Sequence, residues 1–184
     1  MSGATSPRHW SYAEYARLPD DGNRYEVLDG EVLVTPAPGT RHQRIAANLF
    51  VELRQYVLSN RLGEVLWGLD VLISENSYLQ PDILFIPESQ RHRLTERGME
   101  GPPGLVVEVI SPGSIRIDRV TKPARYCDFG IPHYWAVDPE RPGIWIWDFE
   151  LGAAEPRLEL QQLSWQPDPA VQPLQFEIRN AFHP

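Results

Sequence analysis

The sequence predicts an α/β fold: a mixed central sheet flanked by helices, with β-hairpins added at the N- and C-terminal ends. Three observations lead there. From Thr40 to about Asn60 the apolar residues Ile45, Ala46, Leu49, Phe50, Leu53, Tyr56 and Val57 recur at helical spacing, which marks a long amphipathic helix. Leu105-Val-Val-Glu-Val-Ile is an almost continuous apolar run, as expected of a strand covered on both faces. Asp29-Gly30 separates Arg24-Tyr-Glu-Val-Leu from Glu31-Val-Leu-Val-Thr, the strongest short signal for a hairpin.

The remaining elements follow in order. Ser11 to Leu18 is a short helix with Ser11 as its N-cap. Glu64 to Trp67, Leu69 to Ser74 and Asp82 to Pro87 are strands. Ser89 to Gly104, rich in arginine, glycine and proline, is expected to be a mobile loop. A helix over about Arg119 to Phe129 accepts Pro123 only in its first turn, and Gly130 ends it. His133 to Asp138 is a strand. Ile144-Trp-Ile-Trp-Asp-Phe is expected to pair with Leu158 to Leu163 across a turn at Gly152-Ala-Ala-Glu-Pro, forming the second hairpin.

A length of 184 residues argues for one domain spanning 1–184. With Cys127 as the single cysteine, a reducing compartment is expected. The polar start and the lack of a membrane-length apolar run add to the expectation of a cytoplasmic protein with no membrane partner. The net charge of −8 excludes bulk electrostatic coating of nucleic acid. It leaves room for carboxylates gathered round a metal ion. Of the 17 basic residues only Lys122 is lysine. Either codon bias removed the others, or Lys122 stands where a wide, permanently protonated fork would not serve.

Two acids stand out by their surroundings. Asp82 opens an apolar strand, and Glu108 lies inside one, where a lone carboxylate is costly unless paired or bound to a cation. Acids on neighbouring central strands suit Mg²⁺. The plainer possibility is that Glu108 pairs with an arginine and Asp82 caps a turn. Asp118, Lys122 and Tyr126 share one helix face at i, i+4, i+8. They make either part of the site or a surface ion pair. His42 faces the same side as the core stripe of the long helix, where a packed, hydrogen-bonded histidine is the commoner case. Glu26 is an additional acid or a hairpin residue paired with Arg24 or Arg44.

Taken in order, Tyr25-Glu26 with Asp29-Gly30, His42, Pro81-Asp82, Glu108-Val-Ile-Ser-Pro112, Asp118…Lys122…Tyr126 and Gly130-Ile-Pro-His-Tyr-Trp135…Asp138-Pro139 resemble the Uma2 family. This is the DUF820 group assigned as endonucleases within the PD-(D/E)XK nuclease superfamily. The likeness covers about 24–148 and implies a restriction-endonuclease-like fold. It further implies a metal-dependent endodeoxyribonuclease with Mg²⁺ or Mn²⁺ on Asp82 and Glu108. Glu26 and Lys122 would complete the catalytic set, with His42, Asp118 and Tyr126 as weaker candidates. DNA is the implied substrate, and a homodimer is expected by analogy. The superfamily's lysine two residues after the second acid is replaced by Ile110, and Lys122 stands on the next helix, as in the family resembled. Gln80 stands where that family often has arginine. The rival classes are a catalytically silent binding module on the same fold and a partner protein whose acids bind another protein's arginines.

Overall fold

The computed structural model describes residues 10–152 and 155–183. A single helical turn, α1 (Tyr12–Tyr15), is closed by a reciprocal cap between Ser11 and Glu14. β1 (Arg24–Leu28) and β2 (Glu31–Thr35) form the expected hairpin. Asp29 at φ +53° and Gly30 at φ +83° have the positive φ that a type I′ turn needs at both central residues. The long helix is α2 (Thr40–Ser59), with Ile45, Leu49, Leu53 and Val57 buried along one stripe.

Four strands come next: β3 (Gly63–Trp67), β4 (Val71–Ser74), β5 (Ser77–Leu79) and β6 (Ile83–Pro87). The segment expected to be a loop is more ordered than that. It holds a 3₁₀ stretch (Glu88–Arg93) and two tiny strands, β7 (Leu94–Thr95) and β8 (Gly98–Met99). Met99 N–H donates to the Asp70 carbonyl at 2.8 Å, which anchors the segment to the start of β4. Gly98, at φ +130°, makes this approach possible, because a Cβ there would collide with that same carbonyl.

β9 (Leu105–Val109) is buried throughout. A π-helical turn at Ile117–Thr121 then leads into α3 (Lys122–Phe129), with Pro123 in the first turn and Gly130 at φ +86° closing the end. β10 (His133–Asp138) and β11 (Gly143–Asp148) complete the central strands. The second hairpin is shorter than expected. β11 pairs with β12 (Arg157–Glu159), but Leu163 belongs to β13 (Gln162–Trp165), which pairs with β14 (Leu174–Glu177) as a separate ribbon. The ribbon buries Leu163, Trp165, Leu174 and Phe176 in the α2 core, and that burial draws the chain off the β11 edge. Ala153 and Ala154 of the expected turn, like residues 1–9, lie outside the described residues.

One six-stranded sheet runs β12-β11-β10-β9-β6-β3, mixed through the parallel β9–β10 pair. The other runs β2-β1-β5-β4-β8-β7. On β9, Leu105, Val107 and Val109 pack with α2, whereas Val106 faces the opposite core with Tyr126, Tyr134, Leu28 and Leu79. Alternation puts Glu108 on that second face. Asp82 continues β6 by one residue, and the register Ile83↔Val107 sets it opposite Glu108. Among the described residues, no helix is long and apolar enough to cross a membrane.

Gly98→Ala tests the anchoring of the β7–β8 segment. The added Cβ meets backbone at a φ hostile to L-residues, so the substitution should destabilise by more than about 1 kcal/mol, read as a lower urea midpoint at unchanged slope.

Candidate active site

Among the described residues, the buried charged side chains are Glu26, Asp82, Glu108, Asp118 and Lys122. All five meet in one cluster where the two sheets and α3 converge. Each comes from a local rule of chain geometry. Strand alternation turns Arg24, Glu26 and Leu28 of β1 to the same side. Glu108 and Asp82 are cross-strand neighbours. Asp118, Lys122 and Tyr126 rise along one helix face, and the π turn does not take Asp118 out of line: its Oδ1 lies 3.5 Å from Lys122 Nζ.

Lys122 is the hub. Its Nζ donates to Glu108 Oε1 at 2.7 Å and to Glu26 Oε1 at 3.1 Å, with Glu26 Oε2 at 3.0 Å. Three carboxylates therefore surround an ammonium that is 2% exposed. This excludes the solvated i, i+4 ion pair as its role. Tyr126 Oη donates to Glu108 Oε1 at 3.0 Å, and Tyr134 Oη to the Asp118 carbonyl at 2.7 Å. Glu26 pairs with neither Arg24 nor Arg44 at close range; its carboxylate also accepts the Gln80 N–H at 2.9 Å. The Gln80 side chain donates to Asp70 Oδ1 at 3.1 Å, so the residue that departs from the family pattern braces the site from behind.

Asp82 sits in a second, more open part of the cluster. Its Oδ1 accepts from Arg24 Nη2 at 2.6 Å, and its Oδ2 accepts from the Val109 N–H at 2.8 Å. His42 Nε2 lies 3.2 Å from the same Oδ2, so this histidine belongs to the site rather than to the apolar stripe of α2. Arg24 reaches across to Glu108 as well, with Nη1 4.0 Å from Oε2.

Burial and charge push the acids in opposite directions. Burial alone would raise Asp82, but the His42 hydrogen bond and the Arg24 charge outweigh it and hold the carboxyl at about 2. Burial raises Glu108 to about 8; Lys122 opposes the rise, and the carboxylates of Glu26, Asp118 and Asp82 reinforce it. Asp118 is raised chiefly by burial. Lys122 is lowered by its burial and raised more by Glu108, Glu26 and Asp118, so it stays a cation.

All seven candidates from the sequence (Glu26, His42, Asp82, Glu108, Asp118, Lys122 and Tyr126) lie in this cluster, whereas Arg24 entered only as a possible partner of Glu26 and not as a site residue. The signal for Arg24 was there: it lies two residues before Glu26 on the same strand. Asp70, which accepts from Tyr12 at 3.0 Å and Tyr15 at 3.1 Å, had no sequence signal. Cys127 is exposed on α3, not packed. Trp147 is buried beside Tyr134, and Arg119 lies 4.0 Å from the Trp145 ring centre, so neither tryptophan offers a bare stacking face.

Among the described residues no three His, Cys, Asp or Glu side chains form a ready-made metal cage. The donor chemistry nevertheless fits a hard cation: two cross-strand carboxylates, with a guanidinium group placed between them.

The fold defines the class of protein. It superposes on the crystal structure of a putative nuclease belonging to DUF820 from Anabaena variabilis ATCC 29413, with a TM-score of 0.75 at 18% identity. The match covers 94% of this chain and 97% of that one, and it shows that the two share a mixed α/β fold. The Uma2 family profile, described as a putative restriction endonuclease, matches residues 12–180, and the chain belongs to that family. No curated protein matches it.

Two substitutions separate surplus charge from needed charge in metal-free protein. Glu108→Gln leaves Lys122 with Glu26 and Asp118, so stability should stay within about 1 kcal/mol of wild type or exceed it. Lys122→Met strips the hub from three buried acids and should cost about 3–5 kcal/mol. The pH dependence has a definite sign. Glu108 holds its proton more tightly folded than unfolded, so stability should fall as pH rises from 4.5 towards about 8. Urea unfolding across that range should show a shallower fall for Glu108→Gln.

Proposed function

We propose that the chain is a metal-dependent endonuclease hydrolysing DNA phosphodiester bonds, with Asp82 and Glu108 holding Mg²⁺ or Mn²⁺. One observation carries the reading. Four buried acids (Glu26, Asp82, Glu108 and Asp118) face two permanently charged side chains, Lys122 and Arg24. With all four ionised the acids outnumber these cations by two, which gives a divalent ion a net attraction to the site. Such an ion would supply Lewis-acid polarisation of a phosphoryl oxygen.

The chain's own residues do the rest. Hydrolysis joins a water oxygen to phosphorus and breaks the bond to the leaving sugar oxygen; the water proton passes to a carboxylate of the cluster, and the departing oxygen takes a proton from solvent to leave as a hydroxyl. Lys122, held by three acids, places a compact positive charge where the phosphoryl oxygens gain negative charge. Glu26 sets the position of that ammonium with both of its oxygens. Tyr126 fixes Glu108 through Oε1 and leaves Oε2, 4.0 Å from Arg24, as the oxygen that would hold the ion. His42 and the Val109 N–H keep Asp82 ionised and oriented. A homodimer, with one site for each strand of a duplex, and a cytoplasmic location complete the proposal.

A catalytically silent binding module is the second reading, and the guanidinium of Arg24 between Asp82 and Glu108 is the observation in its favour. Cleavage separates the two. Wild type should nick plasmid or single-stranded DNA in Mn²⁺, and Asp82→Ala should not; equal background from both proteins would leave only the binding module. Lys122→Arg should keep the fold and bind Mn²⁺ normally. Its hydrolysis should fall by at least ~10²-fold, the scale of one lost transition-state contact. An active Lys122→Arg enzyme would remove lysine from the mechanism.

A further inference from the structure

The two cations of the cluster are held very differently. Lys122 is gripped by three carboxylates and is 2% exposed. The Arg24 side chain is 20% exposed and makes one close contact, 2.6 Å to Asp82, with Glu108 at 4.0 Å. It projects from the first residue of β1, opposite Thr35 at the open end of the hairpin. Arg24 is therefore the more exposed and less tightly held of the two cations, and it lies within reach of both acids assigned to the metal.

We propose that Arg24 is an exchangeable counter-ion of the Asp82/Glu108 pair: a divalent cation displaces it, and the released guanidinium then grips a substrate phosphate. The inference rests on the metal-dependent reading of this same site. The physics is a competition for one location. A guanidinium and a divalent ion cannot both lie between carboxylates on directly opposed strand positions. A guanidinium that moves from a carboxylate to a phosphate exchanges one anionic partner for another and stays paired throughout. Its planar fork also matches a phosphodiester, with two N–H groups for two oxygens. Loading the site with metal would thus free a phosphate-binding group beside it, so that cation and DNA reinforce each other's binding.

The test has a reading that does not depend on catalysis. Mn²⁺ is titrated calorimetrically into metal-free wild type, Arg24→Met and Arg24→Lys. Removing the competing charge should tighten Mn²⁺ binding by Arg24→Met at least about tenfold. Arg24→Lys should lie between the other two proteins. Affinity for a short DNA duplex is then measured by fluorescence anisotropy with and without Ca²⁺. Arg24→Met should match wild type without the cation and bind more weakly with it.

Unchanged or weaker Mn²⁺ binding by Arg24→Met than by wild type would overturn the exchange, weaker binding making Arg24 a support of the site, while the metal site itself stands. An absence of Mn²⁺ binding in all three proteins would overturn both the exchange and the reading beneath it. Wild-type protein provides a check that needs no substitution. The Arg24 Nε–H signal in ¹⁵N spectra should shift on addition of Mg²⁺, and a signal unmoved at saturating Mg²⁺ would count against displacement.

Discussion

The structure depends on one buried cation. Lys122, the first residue of α3, meets an acid from each of three elements: Glu108 of β9, Glu26 of the N-terminal hairpin and Asp118 of the π turn that leads into α3. None of those carboxylates would be tolerable there alone, since an unpaired buried charge costs several kcal/mol. Together with the ammonium they form a polar knot inside an otherwise apolar region bounded by Leu28, Val106, Ile110 and Tyr134. The hairpin is joined to β5 by the bridge Val27↔Tyr78, so charge pairing supplements a short backbone connection. The knot thus holds the two sheets in a common frame as well as building a site.

The arrangement divides into a rigid half and a responsive half. Around Lys122 every donor has an acceptor, and Tyr126 and Tyr134 tie α3 to the strands beside it. Around Asp82 the partners are Arg24 and His42, both nearer to solvent than the lysine. A site of this kind can keep its geometry while its outer charges rearrange. Under the proposed nuclease reading, that combination suits a polyanionic substrate, which brings negative charge into a region already rich in it.

Much of this was legible in the sequence because it follows from short-range rules. The continuous apolar run of β9 identified Glu108 as out of place, and period-3.6 spacing aligned Asp118, Lys122 and Tyr126. The Asp29-Gly30 turn announced the hairpin. What stayed hidden came from long-range pairing. His42 was expected to pack on the stripe of α2, and only the approach of β6 to the start of that helix makes it a partner of Asp82. Gln80 looked like a weakening departure, yet its backbone and amide support Glu26 and Asp70. The β13–β14 ribbon was folded into the wrong hairpin because apolar alternation tells which face is buried, and not which strand lies beside it.

Glu108 has a further consequence, for how the chain finds its fold. Apolar strands such as β6, β9 and β10 are chemically alike on both faces, so they offer little resistance to sliding or to turning over. A shift of β9 by one residue would drive Glu108 among Ile45, Leu49 and Trp135, far from any ammonium, and expose the error at once in free energy. The acid thereby specifies the register of β9. A one-residue misalignment is penalised, and the native alignment is the one that delivers the carboxylate to Lys122. Functional polarity and folding accuracy are in this case the same side chain.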